Sequence, residues 1–224
     1  MSYCIAVDGP AGAGKSTIAK SIAKKLGIIY VDTGAMYRAM ALFMLQENID
    51  PAEKEKISKA CQNADITITY ENGEQVVLLN GKNVNGMIRT EEVGNMASAS
   101  SVNRDVRVKL VELQQKLAKS TSVIMDGRDI GTCVLPDADV KVYLTASSTV
   151  RAKRRYEELK NKGISCDLEQ IEADIIERDN RDMNREISPL KQAEDAILVD
   201  SSEMNIDEVI EAIITLVRES GCTA

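Results

Sequence analysis

The 224-residue chain contains no histidine and no tryptophan, a single phenylalanine and four prolines. Without histidine there is no Ser-His-Asp or Cys-His pair, no histidine-ligated zinc or haem, and no imidazole base. Chemistry must therefore run on carboxylates, cations, hydroxyls, thiols, backbone dipoles or a bound metal. Besides Phe43 only six tyrosines supply aromatic rings, too few for the stacking platforms of single-strand nucleic-acid binders. Positive charge is also short. The 28 Lys+Arg face 35 Asp+Glu, for a net charge of -7, which argues against nucleic acid or an anionic membrane as partner. No apolar run reaches about 18 residues, and the N-terminus opens into a strand-like run, so neither a membrane span nor a signal peptide is expected. The five cysteines, at 4, 61, 133, 166 and 222, are odd in number and form no CxxC pair. They read as reduced thiols of a cytoplasmic protein. The length suggests one domain with insertions, with a core large enough to need no disulfide staples.

What is present is an alternation of short apolar runs with longer amphipathic segments. Residues 3–7, 28–31, 123–125, 140–144 and 197–199 read as buried strands. Segments 16–26, 36–46, 104–119, 148–162, 168–184 and 206–218 carry helical spacing, such as Ile18, Ile22 and Leu26 at i, i+4, i+8 before Gly27. Strands alternating with helices predict an α/β fold around a parallel sheet with right-handed crossovers. One region breaks the rhythm. Two alternating runs with Asn72-Gly73 and Asn80-Gly81 between and after them predict a small antiparallel meander inserted at about 62–90.

The sharpest motif is Gly9-Pro10-Ala11-Gly12-Ala13-Gly14-Lys15-Ser16-Thr17, a GxxxxGK[ST] loop lying between a strand and a helix. Its glycines let backbone N–H groups turn inward around a phosphate, the helix N-terminus adds its dipole, and Lys15 adds a cation. The Ser16 hydroxyl is positioned to reach Mg²⁺. Residues 123–126 form an apolar run ending in Asp126, the pattern of a strand whose carboxylate orients Mg²⁺ directly or through water. Arg128 and Asp129 sit on the same tip. After the second strand, Asp32 or Thr33 can serve as a helix N-cap with Arg38 incidental, or Arg38 can grip a second anion at the carboxyl edge of the sheet.

Arginine is concentrated late in the chain, at 151, 154, 155, 178, 181 and 185. Arg178, Arg181 and Arg185 fall at i, i+3, i+7, one face of a helix. Interleaved acids at 177, 179 and 182 allow a plain salt-bridged surface helix. The alternative is a cationic lid over phosphates, a task that suits the planar guanidinium fork. Phosphoryl transfer needs positioning and charge neutralisation rather than covalent work. An acceptor that is itself a phosphate is already ionised, so the missing histidine fits phosphate-to-phosphate transfer.

Five blocks, IAVDGPAGAGKST at 5–17, DTGAMYR at 32–38, IRTEEVGNMAS at 88–98, DGRDIGTCVLPDADVKVYLTAS at 126–147 and ERDNRDMNREISPL at 177–190, run nearly end to end. On them the chain resembles the bacterial cytidylate kinases, P-loop nucleoside monophosphate kinases acting on CMP and dCMP. The resemblance implies a three-layer P-loop NTPase fold, with a central parallel sheet, a mobile helical lid and an inserted antiparallel β-subdomain. It implies one kinase domain over 1–224. The core would be about 1–35, 104–150 and 190–224, the monophosphate-binding region about 36–103 and the lid about 151–189. Residues 9–17 would hold ATP phosphates, with Lys15 and Ser16 nearest the transferred group and Mg²⁺. Arg38, Arg128 and Arg178 would hold the CMP phosphate, and Ser98, Arg107 and Asp129 would read cytosine. Asp182, oriented by Arg178, and Arg185 would contact the sugar, and Thr33 would also serve CMP. Arg154 would join the ATP-binding set, with Arg155 beside it in the lid. A monomer is the family's usual state. Thr33 stands where Ser is common, and Ser16 where some relatives carry Gly. Two other readings stay open: a kinase for UMP, AMP or shikimate, and a nucleotide-dependent switch. The switch is disfavoured because Asn161-Lys162-Gly163-Ile164 lacks the Asp of an NKxD string.

Overall fold

A computed structural model describes residues 2–222. Met1, Thr223 and Ala224, the outer ends of the core expected from sequence, lie outside the described residues. In chain order the elements are β1 (Cys4–Asp8), α1 (Lys15–Leu26), β2 (Ile29–Asp32), α2 (Thr33–Gln46) and α3 (Lys54–Cys61). The meander β3 (Ile66–Glu71), β4 (Glu74–Leu79) and β5 (Lys82–Asn83) follows, then α4 (Glu91–Ser100) and α5 (Arg104–Ser120). The chain continues with β6 (Val123–Gly127), a short π-helical turn (Ile130–Val134), β7 (Val140–Thr145), α6 (Ser148–Asn161), α7 (Leu168–Asn184), β8 (Ile197–Asp200) and α8 (Ile206–Glu219). Two sheets result: a five-stranded one in the order β2-β6-β1-β7-β8, and a three-stranded one in the order β3-β4-β5. The residues form two compact units, 3–28 with 124–222, and 29–123.

In the first unit, β1 pairs in parallel with β7, placing Val7 opposite Val142, and β7 pairs in parallel with β8. Ile5, Ala6 and Val7 are buried in succession, as expected of a strand covered on both faces. Helix α1 buries Ile18, Ala19, Ile22 and Ala23, and ends at Gly27, whose left-handed conformation lets its N–H cap the Ala23 carbonyl. Helix α8 starts with a capping box between Asn205 and Glu208, buries Val209, Ile210, Ile213, Ile214 and Val217, and packs on α1. Helices α6 and α7 pack on each other. The expectation of a buried strand at 197–199 is corrected. Strand β8 is the edge of the sheet, and Ile197 and Leu198 are 47% and 55% exposed. Only Val199 is buried.

In the second unit, α2 is apolar on nearly every side. Ala35, Met36, Ala39, Met40, Ala41, Leu42, Phe43 and Met44 are all buried, so α2 is the centre about which α3, α4, α5, β3 and β4 pack. The meander pairs antiparallel from Ile66 opposite Leu79 to Glu71 opposite Glu74. Its turns place Asn72 and Gly73 at φ 52 and 80, and Asn80 and Gly81 at φ 49 and 77. These are the positive dihedrals an Asn-Gly hairpin turn demands. Helices α3 and α4 were not expected. Helix α3 buries only Ile57 and Cys61, and α4 is built largely of small residues. Among the described residues no helix is long and apolar enough to cross a membrane.

Where β1 ends, the backbone turns into the Gly-rich loop at Gly9, with φ 147. A Cβ there would lie 1.9 Å from the Leu144 carbonyl oxygen on β7. Backbone cannot yield as a side chain can, so Gly9→Ala is expected to cost about 3 kcal/mol or more through overlap and strain. Denaturant unfolding of the purified variant checks this. A loss under about 1 kcal/mol would mean that the loop yields readily at Gly9 and does not depend on this contact.

Candidate active site

The first unit gathers an unusual density of charge at the carboxyl ends of β1 and β6. The loop after β1 runs through Pro10, Ala11, Gly12 and Ala13 to Gly14, the left-handed N-cap of α1, with Lys15, Ser16 and Thr17 opening the helix. Lys15 is buried. Its Nζ donates to the carbonyl oxygens of Gly9 and Pro10, both at 2.7 Å. Burial, then the positive charges of Arg128 and Arg178, outweigh the attraction of Asp126 and Asp8 and lower its pKa to about 7. The ammonium is thus held against its own loop.

The Ser16 hydroxyl donates to Asp126 Oδ2 at 2.9 Å, which brings together the two oxygen ligands expected for Mg²⁺. These hard donors suit that ion, which typically takes one or two protein oxygens and completes its shell with water and substrate phosphates. Among the described residues no cluster of three or more acidic or thiol side chains could hold a metal ion by itself.

Asp8 and Arg151 were missed as site residues. Asp8 Oδ1 and Oδ2 accept the N–H groups of Ile130 and Gly131 at 2.8 and 2.7 Å, tying the end of β1 to the turn after β6. Burial raises its carboxyl to about 6, with Asp129 adding to the rise and the two N–H groups and Lys15 opposing it. Arg151, on α6, is buried. It donates to the loop carbonyl of Ala11 at 2.9 Å, to Ala146 O at 2.8 Å and to Asp179 Oδ2 at 2.6 Å. The only sequence signal for it was its place at the head of the arginine cluster. Asp8 was visible only as the last residue of a strand.

The tip after β6 meets α7. Arg128 Nε donates to Asp182 Oδ2 at 2.8 Å, and the charge of Arg178 also acts on that carboxylate. Burial alone would raise the Asp182 carboxyl. The charge and hydrogen bond of Arg128, aided by Arg178 and Arg185, hold it below the usual range. Asp129 is buried, with Arg185 Nη2 at 3.8 Å. The single-face reading of 178, 181 and 185 is also corrected. Arg178 and Arg185 are half-buried, whereas Arg181 is exposed and lies 3.7 Å from Glu177. Arg185 caps the helix from outside it. On α6, Arg154 donates to Ser201 O at 2.8 Å and to Ser201 Oγ at 3.3 Å. Arg155 pairs with Glu158 on the surface. The surface ion pairs of Arg155 and Arg181 fit the salt-bridged reading for those two members.

In the second unit, Asp32 caps α2 by accepting Ala35 N–H at 2.8 Å and pairs with Arg89 at 2.6 Å. Thr33, the first residue of α2, is buried. Arg38, also on α2, donates to the carbonyls of Ile88 and Thr90 at 3.0 and 3.3 Å. It lies so close to α4 that a Cβ on Gly94 would come within 3.0 Å of Nη2. Ser98 is half-buried on α4. Arg107, at the start of α5, is buried. Its guanidinium lies 5.7 Å from the centre of the Tyr37 ring and reaches Ser101 O at 3.5 Å.

Comparison with known proteins decides the family. A model of the family described as cytidylate kinase matches residues 5–219. The chain belongs to the cytidylate kinase family. A cytidylate kinase of Caldicellulosiruptor saccharolyticus is 54% identical over 212 residues, covering 95% of this chain and 94% of that protein. One of Bacillus subtilis is 46% identical over 217 residues, covering 97% of each. One of Thermosipho melanesiensis is 46% identical over 219 residues, covering 98% of each. Among solved structures, an uncharacterised protein from Eubacterium ventriosum aligns with TM-score 0.56 at 14% identity, over 98% of this chain and 99% of that one. That likeness concerns the fold alone.

The raised Asp8 carboxyl sets a pH dependence. The folded chain holds the Asp8 proton up to about pH 6, while an unfolded one releases it near 3.8. The folded state therefore binds more protons in that window, and stability falls as pH rises through it, by up to about 3 kcal/mol for this group. Urea unfolding between about pH 4 and 6.5 is expected to show a shallower fall in Asp8→Asn than in the parent. Equal slopes would remove Asp8 as the source.

Proposed function

We propose that the chain transfers the γ-phosphoryl group of ATP to CMP or dCMP, giving ADP and CDP or dCDP, with Mg²⁺ as cofactor. The observation that carries this reading is the Gly-rich loop closed around a buried Lys15, with Ser16 hydrogen-bonded to Asp126, in a chain of the cytidylate kinase family. Residues 9–17, with Arg154, bind ATP. Thr33, Arg38, Ser98, Arg107, Arg128, Asp129, Arg178, Asp182 and Arg185 bind CMP. Ser16 and Asp126 would hold the metal, which supplies charge neutralisation on the donor phosphates when bound.

An oxygen of the CMP phosphate, already ionised, attacks the γ-phosphorus. The bond from that phosphorus to the β-bridging oxygen breaks, and the electron pair leaves with ADP. No proton need be removed by the protein, in keeping with a chain that has no histidine. Lys15, Arg128 and Arg178 neutralise charge on the transferred group, while Asp129 and Asp182 hold arginines and meet the nucleoside. Closure of residues 151–189 as a lid excludes water and suppresses hydrolysis of ATP. Those residues are one region of a single kinase domain, with a monophosphate-binding region over about 36–103 and a core formed by the rest. The net charge of -7 supports small phosphorylated ligands over polyanions. Five scattered cysteines without a CxxC pair support a cytoplasmic setting, and the family resemblance supports a monomer.

A coupled ADP-release assay against CMP, dCMP, UMP and AMP tests the acceptor, with CMP and dCMP expected to be used best. Preference for UMP or AMP would overturn the assignment, and ADP release independent of any acceptor would point to a switch. In the same assay Lys15→Ala and Arg178→Ala are each expected to lose about 10³-fold or more in kcat, with an unchanged far-ultraviolet circular dichroism spectrum. Near-parental kcat in both would exclude the mechanism.

A further inference from the structure

The β3–β4 hairpin reaches β2 through two side chains that stand opposite one another. Tyr70 on β3 and Gln75 on β4 are cross-strand partners. The Tyr70 hydroxyl donates to Tyr30 O at 3.1 Å. Gln75 Oε1 accepts Asp32 N–H at 2.7 Å, and its Nε2 donates to Asp32 O at 3.2 Å. Strand β2 ends the order of its sheet. A carboxamide carries the same donor and acceptor as a peptide group. Gln75 thus supplies Asp32 with the pair of bonds that a neighbouring strand would give.

The grip is itself braced. Gln75 O accepts Asn85 Nδ2 at 2.8 Å, and Asn85 Oδ1 accepts Val77 N–H at 3.0 Å. Cohesion of the hairpin does not call for this arrangement, since Ile66, Val76, Val77 and Leu79 already bury its apolar side. What the arrangement adds is the immobility of Asp32. That residue has its N–H and carbonyl held by Gln75, Oδ1 by Ala35 N–H and Oδ2 by Arg89. The next residue is Thr33, and Arg38 lies on the same helix.

We infer that Gln75, seconded by Tyr70, is a positioning residue for the phosphate acceptor. By fixing the main chain of Asp32 it sets the N-terminus of α2, and with it the Thr33 hydroxyl and the Arg38 guanidinium. This rests on the reading that Thr33 and Arg38 bind CMP. It gives the inserted meander a specific task, the alignment of one helix end.

Three variants test it. In Gln75→Ala the KM for CMP is expected to rise about tenfold, the size of one or two lost hydrogen bonds, while the KM for ATP stays unchanged. Gln75→Glu, which still accepts Asp32 N–H but cannot donate to Asp32 O, should recover part of the loss. Leu79→Ala, which weakens the hairpin core without touching β2, should lower the melting temperature and leave the KM for CMP in place. An unchanged KM for CMP in Gln75→Ala, a joint rise of both KM values, or the same rise in Leu79→Ala would overturn the inference. Amide hydrogen exchange without substrate separates this from the acceptor assignment. Exchange at Asp32 and Ala35 should quicken in Gln75→Ala and not in Leu79→Ala, and unchanged exchange overturns the clamp. Faster exchange in a chain that leaves CMP unphosphorylated overturns the acceptor reading instead.

Discussion

The close approach of Gly9 to the Leu144 carbonyl is the constraint from which the phosphate loop follows. At that point there is room for backbone and nothing else. The chain leaves β1 hugging β7, and only then can it turn so that Gly9 and Pro10 present their carbonyls to Lys15. The same exit leaves Asp8 facing the turn after β6, where two backbone N–H groups meet it. Loop, lysine and β6 tip are thus one arrangement, and the N-terminus of α1 inherits its aim from it.

Around this turn the first unit balances its cations one by one. Arg151 is matched by Asp179, Arg128 by Asp182, and Lys15 by loop carbonyls. Such pairs are poor sources of stability, since desolvation offsets most of the attraction. Their value is geometric. An arginine anchored through Nε, as Arg128 is, keeps the outer edge of its fork at a set angle, which suits bidentate contact with phosphate oxygens. Burial is the main cause of the lowered Lys15 pKa, with the charge of Arg128 adding to it and Asp126 and Asp8 opposing it.

Much of this was legible in the sequence, and the reasons differ from element to element. Helices α1, α5 and α8 announce themselves by an apolar stripe, β1 and β6 by short unbroken apolar runs, and β7 by a run broken at Lys141. The meander was written in two Asn-Gly pairs whose positive dihedrals leave few alternatives. Helix α3 was invisible because it buries only Ile57 and Cys61, and α4 because half of its buried face, Ala97 and Ser100, is made of small residues. Strand β8 looked interior because Ile, Leu and Val occur together, while an edge exposes residues that a run of letters cannot distinguish. In the site, motif spacing located the loop lysine, the Asp126 strand and the arginine-rich helices. It could not tell that Arg128 holds Asp182, nor that Gln75 reaches across to Asp32. Those contacts depend on side chains meeting across long sequence separations.

The position of β8 also bears on how the sheet is assembled during synthesis. Strands β1, β6 and β7 are complete by residue 145, yet β8 begins only at Ile197. Between those points the nascent chain carries β7, with Val140, Val142 and Leu144, as a provisional sheet edge while α6 and α7 emerge. At a ribosomal pace of about 5–20 residues per second, that edge waits for several seconds. The final strand is four residues long, short enough that it offers another chain little to pair with. The exposure of Ile197 and Leu198 is therefore a mild liability, and the greater hazard in the life of this sheet precedes the arrival of β8.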